Sequence, residues 1–470
     1  MIRKTMTAFA GALAVATAVS AAHHELTPAE AKAREIYETV IAMRTAKGHG
    51  KVPEMAAYLA DELKGAGFAD EDIEIFPSGE TAAMAVRYRG DGSSGAKPIL
   101  FLAHMDVVDA KREDWEHDPF TLREEDGYFI GRGVADNKYG VVNLTQTFMR
   151  LKQEGFTPTR DLVLVFTGDE ETEMMTTRMM AHDRKDWTDA EFALNSDGGG
   201  GAYDADGNLL PYFMQAAEKT YATFEVTAVN PGGHSSRPRA DNAIYDLAEA
   251  LSNIRAHQFP VMANEITRAS ARAVGAMSGG DIGEALIAFS DDPEDEDAIK
   301  AIRASADFSN QIATTCVATM LRAGHAENAL PQSATATVNC RIFPGVEIED
   351  IREALVAVVN NDALEVKQAD DRYVASPASL PRDDVTGAIS TALQTRFSDI
   401  EVVPSMSAGG TDGMHFRRAE VPTYGAGALF AQLGDVNAHG LNERVPVESF
   451  YGGLDHWIVI IKELAGPAEE

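Results

Sequence analysis

Seven side chains stand out by their type and their placement: His104, Asp106, Asp136, Glu170, Glu171, Asp197 and His439. Imidazole nitrogen and carboxylate oxygen are the ligands of zinc and similar divalent ions, and a catalytic ion keeps a position open for water. Singly, each signal is small. His104 and Asp106, two residues apart on a strand, merely share a face. Their setting is what counts. The apolar run Ile99–Ala103 leads into His104 and Asp106, Leu162–Phe166 into Glu170 and Glu171, and Phe192–Leu194 into Asp197. Charged pairs directly after buried strands need partners. Four or five carboxylates gathered in one place would repel one another, and two divalent cations relieve that repulsion better than one. In such a centre the spacing of His104 and Asp106 suits Asp106 to orienting the imidazole.

The elements that must position these groups follow from periodicity. Short, continuously apolar runs suit strands buried on both faces of a mostly parallel sheet. A helix over about Lys138–Glu154, with Val141, Leu144, Phe148 and Leu151 on one stripe, separates the first two runs. That is β/α alternation with the polar residues at the carboxyl ends of the strands, where open α/β sheets carry their sites. Upstream, Thr27-Pro28-Ala29-Glu30 reads as a capping box opening a helix. Near residue 216 the pattern changes. Thr220–Val229 alternates, a helix is expected over Asn242–His257, and residues 260–310 read as polar helices with an acidic run at 290–297. Strands at Ala313–Met320 and Ala334–Ile342, a helix at Glu347–Asn360 and a strand at Leu364–Tyr373 complete a β-α-β-β-α-β unit with a helical insertion. From about Leu380 the chain returns to the first domain. The expected division is a leader at 1–22, an α/β domain at 23–215 and 380–470, and an inserted domain at 216–379.

The 470 residues carry 41 Lys+Arg against 73 Asp+Glu, a formal charge of −32. That balance argues against nucleic acid or an anionic membrane as partner. Arg3 and Lys4, an apolar stretch over about Ala8–Val19, and Ser20-Ala21-Ala22 form a secretory leader. The mature protein is therefore expected to be periplasmic or secreted, with no membrane partner after cleavage. Cys316 and Cys340 lie on consecutive strand-like segments, so a hairpin could set them opposite each other. Two small buried thiols are nonetheless the favoured reading over a bridge.

Eight segments in order resemble the M20 family of co-catalytic metallopeptidases, which includes carboxypeptidase S, glutamate carboxypeptidase and aminoacylase. They are His104-Met105-Asp106-Val107-Val108, Gly131–Lys138, Asp169-Glu170-Glu171, Ser196–Gly199, Gly232–Pro238, Asn328–Pro331, Gly409-Gly410-Thr411-Asp412 and His439–Glu443. The resemblance implies a zinc-exopeptidase-like α/β catalytic domain, with a mixed, mostly parallel sheet, and an inserted α+β, ferredoxin-like lid that also dimerises. It implies two divalent metal ions, Zn2+ first and Co2+ or Mn2+ as alternatives. His104, Asp136 and Asp197 would hold one, and Asp136, Glu171 and His439 the other, with a cis bond at Asp136–Asn137. Glu170 would be the general base acting on a metal-bridging water. His234 would donate to the oxyanion, often in a neighbouring subunit's site. Asn328 and Arg341 would bind substrate, and Gly410 and Thr411 would lie in a loop for the substrate carboxylate. The implied substrates are small peptides or N-acyl amino acids. A carboxypeptidase is the first expectation, with an N-acyl-amino-acid deacylase or dipeptidase as the alternative within the family and a non-catalytic binding protein on the same fold as the remote one. The run Thr172–Thr177 departs from the glycines many relatives carry after the Glu pair, which bears on the shape of the nearby pocket.

Overall fold

The computed structural model describes residues 25–370 and 372–467. The leader expected at 1–22 lies outside the described residues. In chain order come helices α1 (Pro28–Ala42) and α2 (Val52–Gly65), strands β1 (Ile73–Ser78), β2 (Thr81–Tyr88) and β3 (Ile99–His104), helix α3 (Lys138–Gln153), and strands β4 (Leu162–Thr167), β5 (Phe192–Asn195) and β6 (Tyr212–Glu218). Then follow β7 (Thr220–Val229), α4 (Ala243–Ala256), α5 (Glu265–Ser278), α6 (Gly280–Asp291), α7 (Glu296–Ala304), β8 (Thr315–Ala323), β9 (Ser333–Ile342), α8 (Ile348–Val359) and β10 (Leu364–Gln368). The chain closes with α9 (Asp383–Gln394), β11 (Val402–Ser407), β12 (Thr423–Gly425) and α10 (Val447–Ala465).

The large sheet has the order β1-β2-β4-β3-β5-β12-β6-β11. Its centre, β4-β3-β5-β12, is parallel throughout. The unbroken apolar runs are explained by burial on both faces. Ile99, Phe101, Leu162 and Leu164 face the core made with α1, α2, α3 and α10. Leu100, Leu102, Val163 and Val165 face a second core with Met180, Trp187 and Phe416. Each such side chain contributes about 1.5–3 kcal/mol on full burial. The capping box at the head of α1 is present, with Thr27 accepting from the Glu30 amide and Glu30 from the Thr27 amide.

The inserted unit is a four-stranded antiparallel sheet of order β8-β9-β7-β10 with α4 and α8 packed against it. That is the ferredoxin-like arrangement of a β-α-β-β-α-β chain. The two sheets meet at Lys219, between β6 and β7. This buried lysine donates from Nζ to Ala313 O at 2.6 Å and from its amide to Ser407 O at 2.9 Å.

Two expectations change. The helical excursion α5–α7, read as part of the inserted unit, has a small core of its own around Leu286, Phe289 and Ile302. Yet Ile266 of α5 joins the core of the large sheet, and α5 lies along β11. β11 is an edge strand, and an uncovered edge invites unwanted pairing, so the excursion serves the catalytic sheet as well as the lid. The second change concerns the cysteines. Cys316 and Cys340 are bonded as a disulfide rather than being free thiols. They stand directly opposite each other on β8 and β9, with Cα atoms 4.1 Å apart, a separation that brings the two sulfurs together. Among the described residues, no helix is long and apolar enough to cross a membrane.

Candidate metal centre and active site

Strands β3, β4 and β5 are in register, with His104 opposite Thr167 and Leu102 opposite Asn195, so the turns after all three open at one edge of the sheet. His104 ends β3 with its ring buried. Its Nε2 lies 2.9 Å from Asp136 Oδ1 and 3.8 Å from Asp197 Oδ2. From the far end of the chain, His439 Nε2 lies 3.0 Å from Asp136 Oδ2 and 2.9 Å from Glu171 Oε1. Asp136 thus turns one oxygen to each histidine, the disposition of a carboxylate shared by two cations. One ligand atom from each of His104, Asp136 and Glu171 fits within 4.8 Å of the others, and the same holds for His104, Glu170 and Asp197. The Asp136–Asn137 peptide is cis.

The electrostatics suit cations. Hydrogen bonds from the His439 imidazole to the carboxylates of Asp136 and Glu171 raise its pKa to about 10. Burial disfavours charge on His104, but Asp197, Asp106 and Asp136 outweigh it and hold the imidazole well above its ordinary value. Burial, partly opposed by His104, pushes Asp197 up to about 7. Burial likewise raises Glu170 well above the carboxylate range. The cluster therefore retains protons where positive charge is needed, and divalent ions would displace them. The donor set, two imidazoles and several carboxylates, fits zinc-like ions.

Each ligand-bearing turn is tied down by a buried partner. The carboxylate of Asp106 accepts the amides of Glu170 and Glu171, both at 3.1 Å. His104 Nδ1 is closest to the Asp106 main-chain carbonyl at 3.1 Å, with the carboxylate at 3.5 Å. Asp106 was expected to orient the imidazole through its carboxylate; that carboxylate principally fixes the glutamate turn. Glu443 is fully buried and accepts from the amides of Gly133 (3.0 Å), Ala135 (2.8 Å) and Asp136 (3.1 Å) and from Arg132 Nη1 (2.7 Å). Arg132 Nη2 in turn donates to the carbonyls of His439 (3.2 Å) and Gly440 (3.0 Å), and the guanidinium lies over Trp115. The clamp has a strained load, because Asn437, His439 and Asn442 all have positive φ, a region that disfavours residues with a side chain. Lys138, also buried, donates to Val40 O and Met43 O and pins the same turn to the end of α1.

Comparison with known proteins places this geometry. The profile of peptidase family M20/M25/M40 matches residues 100–463. The chain belongs to the M20 peptidase family. It is 27% identical over 381 residues to N-fatty-acyl-amino acid synthase/hydrolase PM20D1 of Xenopus tropicalis, covering 78% of this chain and 72% of that protein. It is 26% identical over 382 residues to probable carboxypeptidase S-like 2 of Dictyostelium discoideum, covering 78% and 71%. Among solved structures, the M20 metallo-carboxypeptidase Sso-CP2 of Sulfolobus solfataricus superposes with a TM-score of 0.70 at 17% identity, covering 92% of this chain and 99% of that one, a likeness of fold. This chain is accordingly an M20 metallopeptidase-type hydrolase with an α/β catalytic domain and a lid.

The remaining residues singled out from the sequence do not all meet in one cavity. Asp136, Glu170, Glu171, Asp197, His439, Gly410 and Thr411 line one cavity of about 560 Å³. His234 and Asn328 do not line it. They sit together on the lid, where Gly233–His234 pairs with Ala329–Leu330 and the Ser235 amide donates to Asn328 O. His234 is exposed, and the Ser236 amide donates to its Nδ1 at 3.1 Å, which leaves Nε2 to carry the proton of the neutral ring. Arg341 reaches the glycine-rich loop by donating to Ala408 O at 3.0 Å, while its guanidinium rests 4.6 Å from the Tyr221 ring. The Thr411 hydroxyl is taken up by the scaffold, donating to Glu218 (3.0 Å) and accepting from Asn195 and Gly413. A substrate contact through that hydroxyl is therefore not what the structure builds.

Sequence reasoning missed Arg132 and Glu443 as a clamp, although both lie inside motifs it named. It also missed Asp412, which was read as the end of a glycine-rich loop. Asp412 is buried, accepts from Thr167 and Thr177, and is pushed by burial up to about 6. The signal available was one acid among small residues. The glycines of the site's floor, Gly198–Gly201, are explained by close packing. A side chain at Gly199, where φ is +75°, would begin 2.3 Å from Gly425 O.

Proposed function

We propose that the protein is an exported, two-metal hydrolase of the amide bond joining an acyl or peptidyl group to a carboxylate-bearing amino acid, a carboxypeptidase in the first instance. The observation that carries this is Asp136, with one oxygen toward each histidine, beside Glu170, whose carboxylate makes no hydrogen bond or ion pair among the described residues. His104, Asp136 and Asp197 would hold one ion, and Asp136, Glu171 and His439 the other, zinc being the first choice. When bound, such ions lower the pKa of coordinated water and polarise a carbonyl. Glu170 takes a proton from the attacking water and returns it to the leaving amine. Arg341, fixed at Ala408, presents a planar fork to the substrate carboxylate. Asn328 adds a substrate contact, and His234 Nε2–H serves the oxyanion once the lid loop or a second copy delivers it.

Other parts of the reading have their own support. The cystine fits an oxidising compartment, as does the leader, so we place the mature protein in the periplasm or outside the cell. A homodimer through residues 216–379 is supported by β8, an edge strand that leaves Val317, Met320 and Leu321 exposed. Relatives named as an N-fatty-acyl-amino acid synthase/hydrolase and as a probable carboxypeptidase S-like protein favour a substrate with a free carboxylate. The test is a panel of N-blocked dipeptides, free dipeptides and N-acyl amino acids given to zinc- or cobalt-loaded protein. Hydrolysis of N-blocked substrates is expected. A strict need for a free amino terminus would remove carboxypeptidase and deacylase together and leave dipeptidase.

A further inference from the structure

The wall of the active-site cavity holds a buried polar side chain for which the reaction above has no use. Gln215 stands in the middle of β6, between Tyr212-Phe213-Met214 and Ala216-Ala217. Alternation along the strand sends Tyr212, Met214 and Ala216 into the core of the large sheet. Phe213 and Gln215 face the other way, and both line the cavity. An amide on that face serves the cavity and not the core.

The amide is held in one orientation. Gln215 Nε2 donates to Glu218 Oε2 at 3.1 Å. Glu218 is buried and itself fixed, with Oε2 accepting from the Thr411 hydroxyl at 3.0 Å and Oε1 lying 2.8 Å from Arg417 Nη1. A carboxylate paired in this way takes the NH2 end of the amide, which leaves the carbonyl as the free end. Gln215 Oε1 accepts no hydrogen bond among the described residues, although the residue is only 5% exposed.

Two glycines make room for this carbonyl. A side chain at Gly198 would begin 1.9 Å from Gln215 Oε1, and one at Gly425 would begin 2.8 Å from Gln215 Cβ. Neither glycine has a positive φ, so the backbone does not require glycine at either place, whereas the space taken by Gln215 does. Gly198 directly follows Asp197, so the free carbonyl stands beside the cation cluster. A buried acceptor without a donor is costly, and the cavity is the side from which a donor can arrive.

We infer that Gln215 is a specificity-determining residue whose Oε1 accepts an amide N–H of the substrate beside Asp197. Glu218, with Thr411 and Arg417 behind it, is the positioning residue that keeps the acceptor turned to the site. The inference rests on the amide-hydrolase reading above and adds the group that reads the substrate's N–H. Two N–H groups of a peptidyl substrate share that chemistry, the one at the scissile bond and the next one on the acyl side.

The test uses N-acetyl-dialanine and two analogues in which oxygen replaces one N–H each, at the scissile bond or at the acetyl-bearing nitrogen. KM and kcat are measured for the zinc- or cobalt-loaded wild-type protein, for Gln215→Met and, independently, for Gln215→Leu, with metal content read on the same samples. The wild-type protein should show a KM about tenfold or more higher for one analogue than for the parent, because a site built around a hydrogen bond rejects the ligand that lacks it. Each variant should raise the parent's KM by a similar factor and leave that analogue's KM within about twofold, at wild-type metal content. The analogue that responds in this way identifies the N–H. Equal wild-type KM values for all three substrates overturn the inference, and so do variants that weaken all three equally or that both lose metal, since Gln215 then only supports the Asp197 turn. Each of those results leaves amide hydrolysis standing. No turnover of any member by the metal-loaded wild-type protein overturns both.

Discussion

Around Asp136 every ligand-bearing turn is secured from behind. Asp106 holds the glutamate turn by two amides, Glu443 holds the Asp136 turn by three, and Arg132 carries that hold on to the loop of His439. Around His234 there is a two-residue strand pairing, a contact to Ser236 and open solvent. The same proposed reaction thus draws on a pre-assembled half and on a half that must be delivered. The difference has a physical basis. Carboxylates that face one another need fixed geometry before a cation can bind them profitably, whereas a neutral hydrogen-bond donor can arrive with the substrate.

That contrast can be broken at several points. The largest effect should come from removing the cations. Exhaustive chelation is expected to abolish hydrolysis and zinc or cobalt to restore it, and activity that survives chelation would refute the pre-assembled centre. Next, His234→Ala should lower kcat by about 10²–10³-fold while metal content, read by elemental analysis, stays at the wild-type value. A loss of metal in that variant would show the lid to be part of the cluster. Third, Glu443→Gln keeps the shape but weakens the clamp. It should lower cation affinity by about 10–100-fold, measured by calorimetric titration, with kcat at saturating cation less affected than in His234→Ala. The smallest effect on the site should come from Cys316→Ser. Removing the cross-link between residues 24 apart should cost about 3 kcal/mol of stability, seen as a lower denaturation midpoint, with cation affinity unchanged.

How far the site was legible in the sequence follows the same division. The strand-end ligands could be read because an ionisable side chain after a fully apolar run is chemically anomalous, and His104, Glu170, Glu171 and Asp197 all follow such runs. His439 and Asp136 have no such local setting; they stood out by residue type, and the motif resemblance assigned them as ligands. The clamp was not legible. Arg132 and Glu443 are over 300 residues apart in the chain, and nothing in either neighbourhood announces a buried pair. The fold was readable where periodicity is strong, as in β3, β4 and α3. It misled at α5, because amphipathic spacing tells which face of a helix is buried and not which domain buries it. The hairpin that could set the two cysteines opposite each other was visible, but the favoured reading of two free thiols was wrong, since register across a hairpin is fixed by the turn and not by the strand sequence alone.

The central claim is that Glu170 moves the proton in a centre whose cations are held by other side chains. Glu170→Gln tests it directly when turnover and metal content are measured on the same sample. The account predicts wild-type metal content and a fall in kcat of about 10²–10⁴-fold. Near-native turnover with full metal content would contradict it.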